Sequence, residues 1–111
     1  MSLQDYQVKA DVMIRAIQSG ELNARGCTHL DLTQEVSPSA DGCEECLKTG
    51  DRWVHLRMCL ICGKAGCCDN SKNKHASQHF HASGHPLIMS LESWEDWAWC
   101  FLDERLIRPR R

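Results

Sequence analysis

Apolar residues open the chain at three- and four-residue steps. Leu3, Tyr6, Ala10, Met13, Ile14 and Ile17 fall on one helical face, with Asp, Lys and Arg between them. Residues 1–19 therefore read as an amphipathic helix that Gly20 stops. The period then changes. Residues 51–58 alternate imperfectly, with Trp53, His55 and Arg57 on one side and Val54, Leu56 and Met58 on the other, which predicts a half-buried strand. The apolar run over residues 85–91 predicts a second. Next come Trp94, Trp97 and Trp99, interleaved with Glu92, Glu95 and Asp96; Trp97, Trp99 and Phe101 share one strand face, as in core and cross-strand packing or an aromatic wall for a ligand. Residues 104–111 read as a strand end running into a basic tail. The intervening 20–42 are turn-rich, and 71–84 predict a short helix with Ser71 as cap and Gly84 as stop.

Composition changes this picture in one respect. At 111 residues the chain is one small domain, divided into a helix over 1–20 and a body over 21–111, yet it has only two Phe and one Tyr against eight Cys. A core so short of large side chains needs staples, either disulfides or metal. The first turns carry Asp5, Lys9, Asp11 and Arg15 where a secretory signal would be apolar, and no run approaches the roughly 18 apolar residues that span a membrane. The expectation is a cytoplasmic protein with reduced thiols, in which paired cysteines are metal ligands. A net charge of −2 and 15 acidic residues argue against a nucleic-acid partner, and the mixed-sign polar face of the first helix argues against a membrane partner.

Candidate ligands crowd between Cys43 and His85. Six of the eight cysteines and five of the six histidines fall there, as Cys43-x2-Cys46, His55, Cys59-x2-Cys62, Cys67-Cys68, His75-x3-His79, His81 and His85. Zinc takes four tetrahedral Cys or His ligands, and two ligands three residues apart grip one ion from a tight turn, as Gly63 directly after Cys62 would allow. Spacing alone predicts two zinc sites and leaves open which pairs combine. Of the adjacent Cys67 and Cys68, only one readily serves a given ion. His55 reads as a strand histidine, and His81 points away from His75 and His79 on a helix. The His75–His79 spacing matches that of metalloproteases, but Ala76, Ser77 and Gln78 supply no general base, so we expect no enzyme. Earlier in the chain, Cys27-x-His29 is too small a set to stand alone as a site.

In order and spacing this set resembles the UBP-type zinc finger, the ubiquitin-recognition module of deubiquitinases and related proteins, and in particular its short stand-alone bacterial form. The resemblance covers roughly residues 25–107. It runs from Cys27-x-His29 through Cys43-x2-Cys46, Cys59-x2-Cys62, Cys67 and the segment from His75 to Leu87, and closes on Trp99-Cys100. It implies an α+β fold, with a twisted, mainly antiparallel sheet and one or two helices, and leaves the N-terminal helix as an addition. It implies one zinc on Cys43, Cys46, Cys67 and His75 and a second on Cys59, Cys62, His79 and His85. A third site would use Cys27, His29 and Cys100, with Asp103 where three-zinc members have Cys; otherwise the two cysteines are packed thiols and Asp103 a surface acid.

Ubiquitin-binding members capture the C-terminal tail of ubiquitin with an Arg soon after a Cys-Gly pair. Here that stretch is Cys67-Cys68-Asp69, followed by Asn70. A carboxylate at Asp69 repels a C-terminal carboxylate, and Arg57 or Lys72 would compensate only in a reshaped pocket. The expectation is a non-catalytic module for an unknown protein or peptide partner, without ubiquitin-tail binding. Its candidate surface is Arg57 with the strand carrying Trp94, Trp97, Trp99 and Phe101. The alternative is a zinc- or redox-responsive regulator that uses the Cys67-Cys68 pair.

Overall fold

The computed structural model of the chain describes residues 2–20, 22–23 and 28–109. Cys27, the first member of the Cys27-x-His29 pair, and the end of the basic tail lie outside the described residues.

Helix α1 spans Leu3–Ser19. Ser2 and Asp5 close a capping box: the Ser2 hydroxyl accepts from the Asp5 N–H at 3.3 Å, and the Asp5 carboxylate accepts from the Ser2 N–H at 3.0 Å. Gly20 ends the helix, its N–H turned back to Ala16 and Ile17. Tyr6, Ala10, Met13, Ile14 and Ile17 are buried, as their periodicity predicts, whereas Leu3 in the first turn is exposed. These side chains join the same core as the sheet.

The sheet is antiparallel throughout. Its strands are β1 (Leu22–Asn23), β2 (Leu56–Cys59), β3 (Ala65–Cys67), β4 (Leu87–Ser90), β5 (Ala98–Cys100) and β6 (Arg105–Pro109), ordered β1-β6-β5-β4-β2-β3. The pleat sorts the residues by parity. Leu56 and Met58, Leu87 and Met89, Ala98 and Cys100, and Ile107 are fully buried and join the core with α1. Their neighbours Arg57, Ile88, Trp99 and Leu106 alternate to the opposite face and line a groove. Two further helices, α2 (Glu44–Thr49) and α3 (His75–Ser83), complete an α+β domain. Gly66 in β3 lets α3 approach, because a Cβ there would stand 2.9 Å from the backbone N of Ala76. Among the described residues, no helix is long and apolar enough to cross a membrane.

Three local expectations change. The strand expected over 51–58 begins only at Leu56: Val54 N–H, ahead of it, donates to Ser71 Oγ at 2.8 Å, and the N–H of Leu56 itself goes to Glu92 Oε1 at 2.8 Å. Ser71 thereby has another task than capping. The helix starts four residues later, after Lys74 at a left-handed φ of 51°. Finally, the segment after Cys43 is helical, so Cys46 projects from α2 where the sequence suggested only a knuckle.

Candidate metal centres and the adjoining groove

Four chain segments converge on the first cluster. Cys43 leads into α2 and Cys46 lies within it; Cys67 ends β3, and His75 opens α3. The Nδ1 of His75 lies 3.2 Å from Cys43 Sγ, 3.4 Å from Cys46 Sγ and 3.6 Å from Cys67 Sγ. One imidazole nitrogen has a single proton or a single lone pair and cannot hydrogen-bond three sulfurs. A zinc ion among them accounts for the convergence: tetrahedral bonds of about 2.3 Å to sulfur and about 2.0 Å to nitrogen put S and N about 3.5 Å apart. The second cluster joins Cys59 at the end of β2 and Cys62 in the following turn to His79 on α3 and His85 just beyond it. Here Cys59 Sγ is 3.6 Å from His85 Nδ1, and Cys62 Sγ is 3.3 Å from His79 Nε2. In each set all four ligand atoms lie within 4.8 Å of one another, which fits one zinc per cluster. These are the two interleaved sets that the resemblance implied.

Burial and hydrogen bonding support the same reading. Burial pushes the Cys43 thiol up to about 12 and the Cys59 thiol up to about 11, so these sulfurs hold negative charge only beside a cation. Burial, and then the neighbouring His85, lowers His79, which favours the neutral imidazole that a metal needs. Amide donors already point at the sulfurs: His75 N–H at Cys67 Sγ (3.1 Å), Ile61 N–H at Cys59 Sγ (3.4 Å) and Asn73 Nδ2 at Cys46 Sγ (3.7 Å). Such donors disperse thiolate charge and fix ligand orientation. The first cluster is the deeper one, while Cys62 leaves the second open to solvent.

A third cluster is smaller. His29 Nδ1 is 2.8 Å from Asp103 Oδ2 and 3.4 Å from Cys100 Sγ. The Thr28 N–H donates to the same Asp103 oxygen at 2.8 Å, and this bond is the largest influence holding that carboxyl below its usual range. Three of the four residues expected at a third site are therefore together. His55 and His81 stay out of every cluster. His55 packs edge-on against Trp94, and the His81 ring is tilted against Phe80.

The groove lies between α3 and the outer face of the sheet. Arg57, Asp69, Ser77, Trp97, Trp99 and Phe101 supply its chemistry, around a volume of about 270 Å³. Phe101 is stacked on Phe80 with ring centres 4.6 Å apart. Trp94 does not belong there: it is 69% exposed and lines a second groove against Val8, Lys9 and Val12 of α1. It sits in a bend before β5 and not on the strand itself.

Arg57 is only 8% exposed. Its Nη1 donates to Glu95 Oε1 at 2.9 Å and to Ser90 Oγ at 3.2 Å, and the guanidinium lies 4.5 Å from the Trp97 ring centre. Burial pushes the Glu95 carboxyl up, but the Ser90 hydroxyl and Arg57 outweigh this and hold it below its ordinary value. Cys68 also borders the groove, 6% exposed, with Sγ 3.5 Å from Ser71 Oγ. The roles of Glu95 and Ser90 were not foreseen. Their signal was faint: two polar residues flanking an apolar strand.

The family model for the Zn-finger in ubiquitin-hydrolases and other proteins matches residues 43–110. Human ubiquitin carboxyl-terminal hydrolase 45 is 37% identical over 79 residues, 58% of this chain but 9% of that enzyme. The mouse protein of the same name is 36% identical over 73 residues, 53% of this chain and 8% of its own length. The chain thus spans less than a tenth of these curated relatives. Among solved structures, the solution NMR structure of a protein from Rhodopseudomonas palustris is 54% identical with a TM-score of 0.69, over 76% of this chain and 82% of that one.

Proposed function

The chain belongs to the zinc-finger family found in ubiquitin hydrolases and other proteins, and on that footing we propose that it is a zinc-stapled docking module that binds a protein or peptide segment without catalysing a reaction. The observation that carries this reading is the groove. It combines three aromatic side chains with buried and exposed charges on a surface that the two clusters hold rigid. Both clusters offer four protein ligands, which leaves no position for the exchangeable water of a catalytic zinc. The protein's place of action is then the cytoplasm, where its thiols stay reduced.

The partner is not the free tail of ubiquitin. Asp69 stands at the groove, Arg57 is committed to Glu95, and Lys72 is paired with Asp51 at 3.4 Å. Among the described residues, no free cation lines the groove to receive a carboxylate. The test is selection from a displayed random-peptide library with the zinc-loaded protein. The selected peptides should bind the parent and lose at least tenfold in affinity with Trp99→Ala, after native mass spectrometry has shown that the variant keeps its zinc. A selection that enriches nothing, or ligands indifferent to both Trp97→Ala and Trp99→Ala, refutes the docking reading. Intact ubiquitin should give no saturable signal; tight binding that is lost when its C-terminus is blocked refutes the partner assignment alone.

A further inference from the structure

The groove carries a charge that no described residue balances. Among the described residues that line it, the one cation, Arg57, is neutralised by Glu95 at 2.9 Å and faces Trp97. Its other ionic group, Asp69, is exposed and accepts a hydrogen bond at Oδ1 from the Ser77 hydroxyl. A hydroxyl is a neutral donor and brings no counter-charge to the carboxylate. Among the described residues no ion pair includes Asp69. The groove is therefore an aromatic slot with one uncompensated negative charge at its edge.

Resting on the docking reading above, we propose that this groove takes a basic side chain, Lys or Arg, of the bound peptide, with Asp69 as its counter-charge. Two independent features of the slot favour a cation. A carboxylate and an ammonium or guanidinium form a charge-assisted hydrogen bond, stronger than a neutral one. Trp99 and Phe101 line the slot beside Trp97, and aromatic ring faces attract a cation and repel an anion, as the Arg57 guanidinium over the Trp97 ring illustrates. Size agrees as well. A volume of about 270 Å³ leaves room for a long side chain. The methylene stem of Lys or Arg would lie along the aromatic walls while its head reaches Asp69.

The test uses the zinc-loaded, ¹⁵N-labelled protein and four capped pentapeptides, acetyl-Gly-Gly-X-Gly-Gly-amide, with X as Lys, Arg, norleucine or Glu. The Lys and Arg peptides should shift the indole N–H signals of Trp97 and Trp99 in a saturable way. An ion pair at about 4 Å in water is worth about a fivefold change in binding, and more where the site is partly desolvated. Norleucine, which keeps the stem and lacks the charge, should therefore bind at least about fivefold more weakly, and Glu should not bind. Asp69→Asn keeps the hydrogen bond from Ser77 and should bring the Lys peptide down to the norleucine level, leaving norleucine unchanged. Equal binding of Lys and norleucine, insensitivity to Asp69→Asn, or tighter binding of Glu overturns the charge assignment. If Lys and norleucine bind equally and Trp99→Ala abolishes both, docking in the groove stands and only recognition of the cation falls.

Discussion

Replacing Gly63 by Ala tests whether the turn after the second Cys pair is as constrained as the geometry requires. Gly63 has φ +83°, and a Cβ there would lie 2.2 Å from the carbonyl oxygen of Ser37. Contacts below 3.0 Å are essentially never made by real Cβ atoms, so the backbone must move by about 0.8 Å. That movement pulls on two hydrogen bonds, Gly63 N–H to Cys59 O and Ser39 N–H to Gly63 O, each 2.9 Å long. Left-handed strain costs about 1 kcal/mol, the overpacked contact about 1–3, and the weakened hydrogen bonds about 1 more. The sum is about 3–5 kcal/mol, a large part of the stability of a small domain. Gly50 is the internal control: its φ is +76°, but nothing lies within 4 Å of its Cβ position, so Gly50→Ala should cost only the strain of about 1 kcal/mol. At about 4–8 °C per kcal/mol, thermal unfolding of the zinc-loaded proteins followed by circular dichroism should show a drop of about 4–8 °C for Gly50→Ala. Gly63→Ala should lose at least about 12 °C or fail to fold. Equal losses for the two variants would refute the claim that the Ser37 carbonyl, and not φ alone, dictates glycine at position 63.

Zinc should leave on acidification, because the metal binds thiolates and release returns protons to them. With three thiols in the first cluster and two in the second, each pH unit lost should weaken the first about a thousandfold and the second about a hundredfold, measured by competition with a chromogenic chelator; pH-independent release would contradict the ligand sets. A chelator should strip the second cluster first, since Cys62 is exposed, and native mass spectrometry should catch the one-zinc intermediate. Arg57→Ala leaves Glu95 partly buried without its cation and should cost about 3 kcal/mol in denaturant unfolding, and the double variant with Glu95→Ala should recover part of it. Met13→Ala, which hollows the joint between α1 and the sheet, should cost about 2–5 kcal/mol; a loss below 1 would mean that α1 is not part of the core.

The sequence was most legible where chemistry is dense. A run of Cys and His at knuckle spacing has few uses in a reduced chain, and the two clusters form as the resemblance allocated them. Amphipathic α1 was equally plain, because its apolar period and its glycine stop are local signals. What escaped notice depends on tertiary partners. The strand expected over residues 51–58 lost its first half to the Ser71 hydroxyl and the Glu92 carboxylate, which take amides that a ladder would have used. A single Ser cannot announce whether its hydroxyl caps the helix after it or accepts from an amide seventeen residues before it. Arg57 was expected on the candidate partner surface with no pairing foreseen, since its neutralisation by Glu95 requires β2 and the β4–β5 connection to lie side by side. Trp94 shared the rhythm of Trp97 and Trp99, but a bend separates it from them.

The crossing of the two ligand sets explains why a groove of this kind can be rigid in so small a protein. Helix α3 gives His75 to one cluster and, one turn and about 6 Å along, His79 to the other. The antiparallel strands β2 and β3 do the same, with Cys59 ending one and Cys67 the other. Helix and hairpin are thus pinned to each other at two points, and a body held at two points keeps only rotation about the line joining them. The contact of Gly66 with the backbone of Ala76 blocks that rotation from below. Between the two pins, on the turn from His75 to His79, lie Ala76 and Ser77, which form one wall of the groove and hold Asp69 in place. This wall of the groove is therefore the segment whose position both metal clusters determine together. On the docking reading proposed above, a peptide bound there would cost the protein little ordering, which discrimination by the charge of a single side chain would require.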